Sequence, residues 1–176
     1  MGRPGRAGAA ENPRPLPFLE KGWYINGETN GTRRKTPVLT VKRLSLADAH
    51  KLIGGAQRKA QRIGVPMCVA VADESGNLIA FERMDGAKIL SVGLSADKAF
   101  TAAISKRPTH EYNELCQPGS LVFGIHTSSG GRFSIVGGGY PVVVRGAVVG
   151  AVGLSGGATE QDMACAEAAL KHFGKS

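Results

Sequence analysis

The feature that most restricts the fold is a pair of short apolar runs, each folded back on itself by turn residues. Met67–Asp73 is apolar until its final acid, Glu74-Ser75-Gly76-Asn77 follows, and Leu78–Met84 resumes the strand-forming pattern. Runs this short, bounded by Gly and Asn, read as strands, and so brief a connection joins antiparallel neighbours. The arrangement returns at Tyr140–Val144 and Ala147–Leu154, across Arg145-Gly146. Two such ribbons predict a mainly antiparallel sheet with helices packed on it. A doubly wound parallel sheet would need strands and helices in strict alternation.

Helices fill the remaining positions. Ser45, with Asp48 three residues on, is a capping-box start, and Ala49, Leu52, Ile53, Ala56, Ala60 and Ile63 keep helical spacing until Gly64 and Pro66. Lys51, Arg58, Lys59 and Arg62 on the opposite face read as solvated. A second helix is predicted from about Lys88 to Ser105, rich in small residues that permit close packing, and a shorter one from Pro108 to Leu115. Residues 116–132 read as loop. Val38–Val41 reads as a short strand leading into the first helix, and Phe133–Val136 as a strand before the bend Gly137-Gly138-Gly139. The last helix runs from Thr159, a capping residue, to Phe173, with Asp162 in its first turn. The expected class is α/β (α+β), a mainly antiparallel five-stranded sheet flanked by helices in the order α-β-β-α-α-β-β-β-α.

Composition places limits on the rest. The net charge is +8, but residues 1–36 hold half of the excess, and no aromatic residues interleave with the body's cations as a nucleic-acid platform requires. Residues 1–37 read as a flexible basic arm and 38–176 as a single domain. Within the arm, Phe18–Ile25 contains the only Trp and has the character of a piece that docks on the body or on a neighbouring copy. Cys68, Cys116 and Cys165 are odd in number and widely spaced, which argues against a disulfide framework and for a reducing compartment. There is neither a membrane-spanning apolar run nor a secretory leader, so the expected location is the cytoplasm, with no membrane or nucleic-acid partner.

The residues that carry chemistry are scattered. Gly137-Gly138-Gly139 and Gly156-Gly157 match no phosphate-loop motif, although the second pair precedes a helix where an anion can rest. Glu82-Arg83-Met84-Asp85-Gly86 is a charged strand end. Asp85 and Arg83 would pair with Lys98 and Arg132 to fix a loop, or Arg83 and Arg132 would grip a carboxylate, with Asp73 in the same cluster. His126 lies in a Gly- and Ser-rich loop, where an imidazole is free to ligate haem iron or move a proton. A plain surface histidine is the simpler reading of it. His50 and His110 are further candidate iron ligands, and His172 suits a last-turn cation.

Several segments in one order resemble a known family. They are Val71–Leu78 running into Phe81–Ala87, then Ala96–Ala103, then Gly137–Val142, and finally Gly146 with Val149–Gly157 and Gln161-Asp162. Over about residues 38–174 the chain resembles the GlcG/HbpS-like haem-degrading and haem-binding proteins. That family is known from glycolate-utilisation operons and includes the C-terminal domain of PduO-type cobalamin adenosyltransferases. The resemblance implies a domain with an antiparallel sheet, assembly as dimers or larger rings, and haem binding in some members. Asn77 stands at a turn position where the family leads one to expect His.

Two functions follow as expectations. One is a haem-, tetrapyrrole- or small-ligand-binding protein with its cleft near a subunit boundary, where Arg83, Met84, Arg132, Gly137, Gly138, Gly139, Gly156 and Gly157 would contact the ligand. The other is a cofactor-independent lyase, hydratase or isomerase acting on a small carboxylated metabolite, with Glu82, Asp85, Lys98 or His126 as its acid or base. Both require the sheet to bring the acid-and-arginine end of the first ribbon beside the glycine bend of the second.

Overall fold

The computed structural model describes residues 39–175. The predicted arm, its Phe18–Ile25 piece and Val38 lie outside the described residues. At the start of the domain the Ser45 hydroxyl accepts from the Asp48 amide at 3.1 Å, and the Asp48 carboxylate accepts from the Ser45 amide at 3.1 Å. This reciprocal cap opens α1 (Leu46–Ile63), and Gly64 closes it in the left-handed region, at φ 67°. Four strands follow the predicted ribbons: β1 (Cys68–Asp73), β2 (Leu78–Arg83), β3 (Gly139–Val144) and β4 (Ala147–Ser155). They form one antiparallel sheet in the order β2-β1-β4-β3, joined where β1 pairs with β4. Three further helices complete the fold: α2 (Leu90–Ser105), α3 (Glu111–Leu115) and α4 (Thr159–Phe173).

The sheet's two faces differ in side-chain size, and this decides how each is covered. Val69, Val71, Val142, Val152 and Leu154 point to one face and form the main core with Leu52 and Ile53 of α1 and Cys165 and Ala169 of α4. Alternate positions, Ala70, Ala72, Ala151 and Gly153, point to the other face, against α2. With so little side chain on that face, α2 approaches until a Cβ at Gly153 would strike the Ser95 carbonyl and lie 2.5 Å from the Ala99 amide nitrogen. The close packing expected from the small residues of α2 therefore depends on small residues in β4 as well. Gly153→Val is expected to cost about 1–3 kcal/mol, as overpacking does. Urea unfolding would show this as a lower midpoint with an unchanged slope.

Two sequence expectations are corrected. The sheet has four strands, not five, because Phe133–Val136 pairs with no strand. Threonine hydroxyls take the place of a ladder there. Thr101 Oγ1 donates to the Arg132 carbonyl and accepts from the Ser134 amide at 2.8 Å, and Thr109 Oγ1 donates to the Val136 carbonyl at 2.7 Å. Residues 39–41 are likewise in no strand. The segment is pinned further on, where buried Leu44 donates its amide to the Val149 carbonyl at 3.0 Å. At the other end of the domain α4 begins as predicted, but Ala158 rather than Thr159 is its N-cap, its amide donating to Gln161 Oε1 at 2.9 Å.

The β1–β2 turn is clamped to the segment before α1. Arg43 donates to both Glu74 carboxylate oxygens, at 2.8 and 2.6 Å, and lies 3.4 Å from Asp73. The Arg43 hydrogen bond pulls the Glu74 pKa from 4.5 down to about 2. A depressed carboxyl stabilises the fold above its unfolded pKa and loses that contribution as pH falls. Stability attributable to Glu74 should therefore decline between about pH 4.5 and pH 2. Glu74→Gln should flatten that part of the stability–pH curve, measured by urea unfolding across the range.

Candidate functional site

Registry fixes what lies at the end of the sheet. Cys68 of β1 is opposite Arg83 of β2 on one side and Ser155 of β4 on the other, and the Leu154 amide donates to the Gly138 carbonyl at 2.9 Å. Arg83 and the glycine bend thus share one end of the sheet. They stand on its two edge strands, however, with β1 and β4 between them, a separation of about 14 Å at strand spacing. Asp73 does not join them, because it ends β1 at the far end of the sheet. Its carboxylate accepts from the amides of Ser75 and Asn77, at 2.9 and 2.8 Å, and from the Asn77 side chain. Both Asp73 and Asn77 are thereby explained as turn builders.

The glycine bend encloses a buried ion pair. Lys98 of α2 is fully buried, and its Nζ donates to Asp162 Oδ2 at 2.7 Å and to the Leu154 carbonyl at 2.9 Å. Asp162 Oδ1 accepts from the Gly157 amide at 3.0 Å. Gly138, at φ 116°, has no room for a side chain, since a Cβ would lie 3.1 Å from the Lys98 ammonium and 2.9 Å from Asp162 Cβ. Gly139 packs on the Lys98 carbonyl, and Gly137 on Thr159, Met163 and His110. Gly156 packs on the Pro66 carbonyl and Met67, and Gly157 on Gln161 and Val65. Burial lowers the Lys98 pKa below the ordinary lysine value, and the Asp162 hydrogen bond pulls it back. Sequence reasoning saw Asp162 only as a first-turn acid. The available signal was a lysine among Ala96, Ala99, Ala102 and Ala103, since a cation on a helix face that small needs a buried partner.

The remaining candidates have separate partners. Arg132 donates to Asp97 at 3.1 Å and its guanidinium carbon lies 4.0 Å from the centre of the Phe100 ring, so neither it nor Lys98 reaches Asp85 or Arg83. Glu82 accepts from Gln57 at 2.7 Å and lies 3.8 Å from His50 Nδ1. The Met84 amide donates to the Met67 carbonyl, and its thioether accepts from the Met67 amide at 3.4 Å, which closes the ribbon. Arg83, Asp85 and Gly86 are exposed. The acid–base candidates therefore stand on three separate segments, Glu82 and Asp85 at the end of β2, Lys98 on α2 and His126 on the 116–132 loop.

Three histidines are candidate iron ligands. His110 stands beside Tyr140, with ring centres 5.6 Å apart, and its Nδ1 is buried without a hydrogen-bond partner among the described residues. His50 is exposed on α1. His126 is exposed on the 116–132 loop, with Nδ1 held 3.1 Å from the Sγ of buried Cys116 and its ring 6.2 Å from that of Phe123. Leu121, Val122 and Phe123, on the same loop, are all exposed. An imidazole oriented through one nitrogen and open at the other is the arrangement of a metal ligand, and apolar side chains suit a porphyrin face. These residues fit a haem. No group of three or more His, Cys, Asp or Glu among the described residues could hold a bare metal ion.

The sequence model of the haem-degrading HbpS-like proteins matches residues 44–171. The chain belongs to the HbpS-like family. The family's matched span runs from the start of the domain to the last turn of α4. A 15.0 kDa protein from the dhaT–dhaS intergenic region of Citrobacter freundii is 42% identical over 130 residues, covering 74% of this chain and 92% of that protein. The crystal structure of Klebsiella pneumoniae ORFY aligns with TM-score 0.77 at 37% identity, over 79% of this chain and 96% of that one. The crystal structure of a PduOC–haem complex aligns with TM-score 0.71 at 36% identity, over 74% of this chain and 94% of that one. Haem binding is therefore a property found within the family. No helix among the described residues is long and apolar enough to cross a membrane.

Proposed function

We propose that this protein binds haem or a related tetrapyrrole on the 116–132 loop, with His126 as the iron ligand, at a boundary between copies of the chain. The observation that carries the reading is the haem complex of a structure 36% identical to this chain and alike over 74% of it. The local chemistry agrees with it. His126 Nδ1 lies 3.1 Å from Cys116 Sγ, and in the tautomer whose Nδ1–H donates to that sulfur Nε2 is left for a metal, while Leu121, Val122 and Phe123 supply apolar surface. When bound, the iron would supply ligand or redox chemistry, and the chain's part is to hold the macrocycle and limit water around it. Ile89 and Leu90, each 76% exposed, are further apolar side chains that a second copy would cover. Cys68, Cys116 and Cys165 form no disulfide, which suits a reducing compartment such as the cytoplasm.

The metabolite-enzyme reading has less support, because Lys98 and Arg132 spend their charges on Asp162 and Asp97. Haemin titration of the full chain tests the proposal. The expected result is a sharp Soret band that saturates at one haem per subunit or per dimer. A broad band that keeps growing with added haemin would overturn it.

A further inference from the structure

The side of the sheet away from α2 carries a feature the haem reading does not use. There α1 and α4 touch at a small-residue contact: a Cβ at Gly55 would lie 2.8 Å from His172 Cβ and 3.0 Å from Ala169 Cα. Outside that contact the two helices border an open groove of about 730 Å³. Arg58 and Arg62 line it from α1, and Lys171 and Lys175 from α4 and the residues just beyond it. Among the described residues no Asp or Glu lines the groove, and none of these four cations forms an ion pair.

Read from the sequence, this is an ordinary solvated helix face. In three dimensions it is not, because two elements turn their cations into one concavity. Arg58 and Arg62 stand four residues apart on α1, a spacing at which like charges repel, while Lys175 lies past the end of α4. The volume lies within the range of small-molecule sites. Besides its four cations the lining contains Gln61 and His172 but neither Phe, Tyr nor Trp. Guanidinium groups favour the paired oxygens of phosphoryl groups, and lysines add point charge.

We propose that the α1–α4 groove binds a small polyanion bearing two or more phosphoryl groups. The site is independent of the haem reading and shares no residue with it. The test is calorimetric titration of the full chain with inorganic tripolyphosphate at about 0.1 M salt, where exposed charges are screened beyond roughly 10 Å. Saturable binding of one molecule per chain is expected. Arg58→Gln/Lys171→Gln should weaken it at least tenfold, and Arg62→Gln/Lys175→Gln should do the same from the groove's other residues, so that a folding defect in one pair does not decide the outcome. Lys42→Gln/Lys88→Gln removes equal charge from exposed positions outside the groove and should leave binding unchanged. Absence of saturation, or equal weakening by the control pair, would overturn the site. Tighter binding of citrate than of tripolyphosphate would overturn the phosphoryl assignment.

Discussion

Replacing Asp162 by Asn is expected to lower stability by about 3–5 kcal/mol, because it leaves the Lys98 ammonium buried beside a neutral amide. Lys98 is fully buried, and among the described residues its ammonium has one other acceptor, the Leu154 carbonyl at 2.9 Å. The loss should be largely recovered in Lys98→Met/Asp162→Leu, since well-packed apolar replacements for a buried pair are often neutral or stabilising. A pH dependence should accompany the single variant. Without the Asp162 hydrogen bond, which raises the Lys98 pKa, burial alone lowers it from 10.5. The unfolded chain then binds the proton more readily than the folded one, so stability rises with pH in the window below about 10.5. Urea unfolding at several pH values measures both effects. A loss under about 1 kcal/mol for Asp162→Asn would show that the pair is not as isolated as its geometry indicates.

His126→Ala is expected to remove the sharp Soret band and weaken haemin binding by at least about a hundredfold, the upper end of what is lost when even a supporting group of a metal site is removed. Cys116→Ala is the more discriminating variant. It keeps the imidazole but frees the nitrogen now held 3.1 Å from Cys116 Sγ, and the expected loss is about 10–100-fold. His50→Ala and His110→Ala should leave the spectrum unchanged. His50 is beside Glu82 on α1, and the Nδ1 of His110 is enclosed near Tyr140. If the His126 variant kept its band and its affinity, the loop would not be the haem site.

Local rules made the ribbons, the reciprocal cap at Ser45 and the stop at Gly64 legible, because each depends on residues within a few positions of one another. The same rules failed at Phe133–Val136. Its composition is that of a strand, yet Thr101 and Thr109, distant in sequence, satisfy its backbone. The site residues were hardest to place. Arg83, Arg132, Lys98 and the glycines are all conspicuous in the sequence, but nothing local told that Arg132 would lie over Phe100, or that the glycine bend would close on an ammonium.

By itself the sequence determined the family, the two ribbons and the reciprocal cap and glycine stop of α1, since periodicity and turn chemistry act over one or two turns of chain. Only the tertiary structure decided that β1 joins β4, that Lys98 meets Asp162 across 64 residues, and that the cations of α1 and α4 share a groove. Those pairings depend on which faces become buried together, and a buried charge reveals its partner only once the surrounding surface has been withdrawn from water.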